Sequence, residues 1–285
     1  MATLKAIRRR IASVKSTQQT TRAMKLVAAS RLRRAQEALF NARPYHEALT
    51  RVSDSLLASA PEALGAPEGA ARAQWLVLVT SDRGLCGGYN ANLIRLAEET
   101  MAKAQSEGLT PKLFVIGRKG AEHFKRAKMP LDGERINNLP RLATVGLARD
   151  VAARMLHEFR TGAVCEAGVI YSSFRSALSQ RPIFEKLLPI KPPESAAGAA
   201  DYLIEPSAAE LIPTVLRSYV EAAIFHALLE GEASEHGARM TAMDSATNNA
   251  VDMIARLTLE MNRARQAQIT KELMDIVGGA EALRG

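Results

Sequence analysis

The chain has 285 residues, 47% of them hydrophobic, 24% charged and only 5% aromatic, with two cysteines and a formal net charge of +8. That composition fits a chain that buries a core and is poor in the aromatic side chains favoured in β-sandwiches; two cysteines do not make a disulfide framework. No apolar run approaches the length of a membrane span, and the first residues, with Arg8–Arg10 close behind, lack the apolar stretch of a signal peptide. A reducing compartment is therefore expected.

Charge is distributed unevenly. Residues 1–57 carry 12 Lys/Arg against 3 Asp/Glu, residues 58–206 carry 19 against 16, and residues 207–285 carry 7 against 11. A basic first segment and an acidic last one attract when laid side by side, although exposed pairs contribute little individually.

The first segment, 1–60, contains no glycine and a single proline, Pro44, and reads as one long helix. Its apolar and small residues recur at 3-4 spacing: Leu4, Ile7, Ile11, Val14, Gln18, Thr21, Lys25, Ala28, Leu32, Ala35, Leu39, Ala42. This is a heptad seam with a polar, small-residue stretch in its middle. Thr3 and Ser13 are candidate N-caps.

The segment 61–206 reads as an α/β domain of Rossmann-like type. Strands are expected at Gln74–Thr80, Lys112–Gly117, Glu166–Ser172 and Arg181–Leu188, with a weaker extended stretch near Arg135–Leu139. Helices are expected over Asn90–Ser106, Lys119–Ala127 and Leu147–Arg160, so that strands and helices alternate as in a mostly parallel sheet covered on both faces. The loop Ser81–Gly88, SDRGLCGG, follows a strand and precedes a helix, as a phosphate cradle does. It matches neither G-x-G-x-x-G nor the P-loop pattern, so glycines 84, 87 and 88 equally serve tight backbone geometry. Prolines 189, 192, 193 and 206 mark the stretch around Lys191–Pro206 as a loop.

The last segment, 207–285, repeats the 3-4 spacing at Met240, Met243, Thr247, Ala250, Ile254, Leu257, Met261 and Ala264, and the pair Gly278-Gly279 is expected to weaken or end its helix. Neither terminal helix can bury its stripe alone, so the economical arrangement is an antiparallel coiled coil between the two ends of the chain. Catalytic chemistry is thin: the five histidines lack metal-ligand spacing, and Cys86 reads as a small buried thiol. No catalytic residue, cofactor site or metal site is expected. The residues leave open a basic coiled-coil protein that binds nucleic acid, and a nucleotide-dependent enzyme built on the loop 84–88.

Four ordered strings resemble the gamma subunit family of F-type ATP synthases: Ala2–Gln36 (ATLKAIRRRIASVKSTQQTTRAMKLVAASRLRRAQ), Thr80–Leu93 (TSDRGLCGGYNANL), Ser234–Ala250 (SEHGARMTAMDSATNNA) and Ala264–Leu283 (ARQAQITKELMDIVGGAEAL). The resemblance implies a noncatalytic central-stalk rotor that turns inside three alpha and three beta subunits and binds the epsilon subunit. It implies a foot on the proton-driven membrane c-ring, no role for nucleic acid, and a peripheral place on the cytoplasmic side of a bacterial inner membrane. By resemblance Arg265, Gln266 and Thr270 form a catch for an acidic beta-subunit loop, with Met24, Arg22 and Lys25 facing the same subunit. Leu273, Met274, Ile276 and Val277 resemble an apolar shaft tip seated in a bearing, and Tyr202, Glu205 and Pro206 resemble the foot near the c-ring. Asp275 stands where that family commonly has Glu, keeping the charge on a shorter arm.

Overall fold

The computed structural model describes residues 4–59, 67, 69–135, 143–190, 205 and 207–282. The elements in chain order are α1 (Leu4–Ser59), β1 (Ala73–Val79), α2 (Tyr89–Ser106), β2 (Thr110–Ile116), α3 (Arg118–Arg126), β3 (Gly133–Arg135), α4 (Val145–Arg160), β4 (Glu166–Phe174), β5 (Gln180–Leu188) and α5 (Ala208–Ala282). The chain divides into two compact units, one of residues 1–27 with 240–285 and one of residues 28–239. Both long helices therefore contribute to both units. The sequence-based boundaries at 60 and 206 follow secondary structure, whereas packing divides the chain inside the helices, because residues 28–59 and 208–239 bury their apolar faces with the sheet.

In the larger unit five strands lie in the order β3-β2-β1-β4-β5. Pairs β3–β2, β2–β1 and β1–β4 are parallel and only β4–β5 is antiparallel. Every residue of β1, AQWLVLV, is buried, as a strand covered on both faces requires. Alternate side chains then feed two cores. Trp75, Val77 and Val79 meet α4 through Val151, Met155 and Phe159, and the inner part of α5 through Val220, Ile224 and Leu228, with Leu39 of α1. Leu76 and Leu78 face α2 and α3 through Leu93, Ala97, Met101 and Phe124. α4 starts where the Thr144 side chain accepts a hydrogen bond from Leu147 N. The third strand falls at Gly133–Arg135, earlier than the expected Arg135–Leu139, and residues 136–139 lie outside the described residues.

In the smaller unit α1 and α5 run antiparallel. The Thr21 and Thr247 hydroxyls meet at 2.8 Å, and one turn along α1 Lys25 Nζ lies 2.6 Å from Asp244 Oδ1, a turn back along α5. The described seam residues are buried or half-buried on both helices, with Ile7, Thr21, Met243, Ala250 and Leu257 inside. Small seam residues bring the helices close enough for two threonine hydroxyls to touch. Ser13 lies inside α1, where its carbonyl accepts from Thr17 Oγ1, and is not a cap; Thr3 lies outside the described residues. Gly278 and Gly279 do not end α5, which continues to Ala282: two residues at about 1 kcal/mol each do not outweigh a helix already propagating over seventy positions.

Candidate functional site

The smaller unit carries its distinctive surface where α5 outlasts its partner. Thr21 opposite Thr247 sets the register, and by that register Leu4, the first described residue, lies near Ala264. From Arg265 to Gly279 every residue of α5 is exposed. Arg265, Gln266 and Thr270 stand on this free stretch, and Gln268 donates to Glu272 one turn on. Leu273, Met274, Ile276 and Val277 are 57%, 69%, 68% and 62% exposed, an apolar collar that buries nothing within the described chain. Isolated exposed leucines are ordinary, but four large aliphatics within five residues on one bare helix form an apolar patch that nothing in the described chain covers.

Arg22 is exposed on α1, while Met24 and Lys25 are half-buried. Lys25 is already bonded to Asp244, so its charge is shared inside the coil. This group sits opposite residues 244–247, roughly 30 Å along the helix from Arg265 at 1.5 Å per residue. The six residues expected to face one subunit therefore form two separate patches. Glu205 is exposed, and Tyr202 and Pro206 lie outside the described residues.

In the larger unit, the loop after β1 stands at the carboxyl end of the sheet where the strand order reverses between β1 and β4, the usual crevice for a nucleotide. Here that crevice is filled by the chain's own α5. Tyr89 Oη donates to Gly231 O at 3.0 Å, and Gly231 comes so close that an added Cβ would lie 3.3 Å from Val79 Cγ1. Ser234 Oγ donates to Ser172 O at 2.8 Å, and Phe174 N donates to the Glu230 carboxylate at 3.1 Å. The carbonyls of Arg83 and Gly84 accept from Arg239 Nη2 at 3.2 and 3.3 Å. A phosphate cradle presents N–H groups inward; this loop presents carbonyl oxygens to a cation. Asn90 closes it from behind, its side-chain oxygen accepting from Ser81 N at 3.0 Å. Cys86 is buried beside them, and burial pushes its thiol pKa up, as suits a packed thiol rather than a nucleophile.

Arg239 is held in turn by Glu235, one helical turn earlier, at 2.6 Å, with both side chains nearly buried. Burial raises the Glu235 pKa and the neighbouring guanidinium lowers it back in part. His236, whose Nδ1 is 3.3 Å from Arg239 Nη1, is pushed down to about 4 by burial and by the guanidiniums of Arg239 and Arg31. Sequence reading missed this rivet. Its signal was the i, i+4 Glu235–Arg239 pair in the string SEHGARM.

A family model described as ATP synthase matches residues 3–283. The ATP synthase gamma chain of Pelotomaculum thermopropionicum is 46% identical over 288 residues, covering 99% of this chain and 100% of that protein. That of Geotalea daltonii is 47% identical over 294 residues, covering 100% of both. This chain belongs to the ATP synthase gamma chain family. Among solved structures, a chain of the Euglena gracilis mitochondrial ATP synthase OSCP/F1/c-ring assembly superposes with a TM-score of 0.68 at 20% identity, covering 98% of this chain and 94% of that one. A chain of the Tetrahymena thermophila mitochondrial ATP synthase central stalk and c-ring gives 0.63 at 25% identity, covering 80% and 99%. The loop after β1 is the seat of α5, riveted by Arg239, and gamma chains are noncatalytic parts of their complex.

Proposed function

We propose that this chain is the noncatalytic central-stalk rotor of an F1Fo ATP synthase, carrying torque between a proton-driven c-ring and the catalytic beta subunits and so coupling proton transport to ATP synthesis. The observation that carries the reading is the bare end of α5: fifteen successive exposed residues, with Arg265, Gln266 and Thr270 followed by the apolar Leu273, Met274, Ile276 and Val277, on a helix otherwise braced by α1. An apolar collar without directional bonds can turn against an apolar sleeve, since the hydrophobic effect is non-directional. The Arg265 guanidinium fork with Gln266 and Thr270 beside it suits an acidic loop of a beta subunit, and Met24, Arg22 and Lys25 form the second, inner patch toward the same subunit. A single asymmetric rod inside three like partners stabilises a different conformation of each, which is how a part with no active site drives a cycle of affinities.

In this reading residues 1–60 and 207–285 form the shaft and 61–206 the foot, which meets the c-ring and epsilon through Tyr202, Glu205 and Pro206. The complex is membrane-associated, with the chain peripheral on the cytoplasmic face of a bacterial inner membrane; no described helix is long and apolar enough to cross one. Reconstitution with alpha and beta subunits tests the assignment. One copy per three alpha and three beta subunits is expected by native mass spectrometry; equal numbers of this chain and beta, or no co-assembly, would overturn it.

A further inference from the structure

Within the larger unit, α1 and α5 are joined by a contact unlike the aliphatic packing around it. The imidazoles of His46 and His226 stack face to face, 4.5 Å between centroids and 11° from parallel. His46 Nδ1 is buried without a hydrogen-bond partner among the described residues, and His226 Nε2 lies 3.7 Å from a Glu230 carboxylate oxygen. Charged groups face the pair, Arg43 and Glu47 from α1, Glu230 from α5 and Glu185 from β5, with Tyr171 of β4 beside Glu185 and Glu230. Tyr171 Oη donates to Glu185 Oε2 at 2.8 Å, and Phe174 N donates to Glu230, so Glu185 and Glu230 are already engaged.

We propose that the His46–His226 stack is an acid-sensitive latch, closed while both rings are neutral and opened between α1 and α5 when either takes a proton. Two neutral rings stack favourably, whereas a single imidazolium is already penalised by burial and by the adjacent Arg43, and a second one 4.5 Å away adds direct repulsion. Burial, His46 and Arg43 together hold the His226 pKa down at about 4, and burial lowers that of His46 against the pull of Glu185 and Glu47. The sign follows: with a folded pKa below the unfolded 6.5, each ring contributes stability that is complete above pH 6.5 and lost as pH falls, for His226 through about 4. Glu230 acts the other way, since burial raises its pKa and its protonation favours the fold, but that same protonation removes the nearest counter-charge for His226.

Hydrogen exchange on the full chain at pH 7.5 and pH 5.5, corrected for intrinsic rates, tests this. With pKa values of 4 and 6.5, His226 alone raises local opening about tenfold at pH 5.5. The rise is expected in peptides covering residues 40–50 and 220–230, and is expected to vanish in the double variant His46→Phe, His226→Phe, which keeps stacked rings that cannot titrate. An equal rise in the variant, no rise in the wild type, or a uniform rise across β1–β5 would overturn the latch. Should the variant fail to fold, NMR titration of the wild-type imidazoles decides: rings neutral below pH 6 support it, and titration of both at 6.5 or above refutes it. In a rotor the opened latch would soften the helices where they pack on the sheet. That consequence rests on the rotor reading; the exchange experiment does not.

Discussion

At Arg239 a guanidinium fixes the inner part of α5 to the loop after β1, and its removal strands a buried carboxylate. Arg239→Met is expected to cost about 3–5 kcal/mol of stability near neutral pH, the range for breaking a buried pair by deleting one partner. Part of that deficit should return on acidification. Without the guanidinium, Glu235 has its pKa raised further above its unfolded value, so protonation favours the fold and stability is regained as pH falls. Urea denaturation at pH 7.5 and 5.5 measures both; a deficit below 1 kcal/mol or one that grows with acid would refute this account. Gly117 makes a second residue-scale case. At φ +102° it approaches β1 so closely that an added Cβ would lie 2.1 Å from Thr80 O, and Gly117→Ala should destabilise by about 2 kcal/mol or more in the same assay. Sequence pattern found the Gly-rich loop but not its use, because whether N–H or C=O groups point inward is decided by a side chain 156 residues away.

Among the elements, the two long helices were the most legible, since a 3-4 repeat sustained over many turns admits few other structures. Even Gln18, Thr21 and Lys25, polar at apolar positions, take their places on the seam, and Thr21 turns out to face Thr247. Helix ends were poorly legible. Capping and stop signals compete with propagation energies along the whole helix, which is how α5 passes Gly278-Gly279 and starts as early as Ala208 with Pro213 inside it. The close seam makes a sharp prediction. Ala250 is 6% exposed at a contact built from small side chains, so Ala250→Leu should force the helices apart and cost about 1–3 kcal/mol. Asp244→Asn, by contrast, removes an ion pair whose partners are 40% and 47% exposed and should change stability by no more than about 1 kcal/mol, less in high salt. Thermal melts of the two variants rank the terms: if Asp244→Asn is the worse, charge rather than packing holds the coil.

For the molecule as a whole, the bare end of α5 separates stability from function. Its residues from Arg265 to Gly279 are all exposed, so their removal takes no buried core residue from either unit. The four aliphatics were legible as an exposed apolar end only through the resemblance to the gamma subunit family, since nothing in their spacing tells an exposed run from a buried one. A chain ending after Ala264 should therefore keep the melting temperature of the full chain while losing assembly with alpha and beta subunits. The finer variant, Arg265→Ala with Gln266→Ala, alters two exposed polar residues and leaves the collar in place. It should assemble with normal stoichiometry, melt normally, and lower the rate of ATP synthesis in membrane vesicles several-fold, if the proposed catch depends on the Arg265 fork. Normal synthesis in that variant would remove the catch from Arg265 and Gln266. Failed assembly would instead place both residues in the docking contact, leaving the apolar collar insufficient to seat the helix alone.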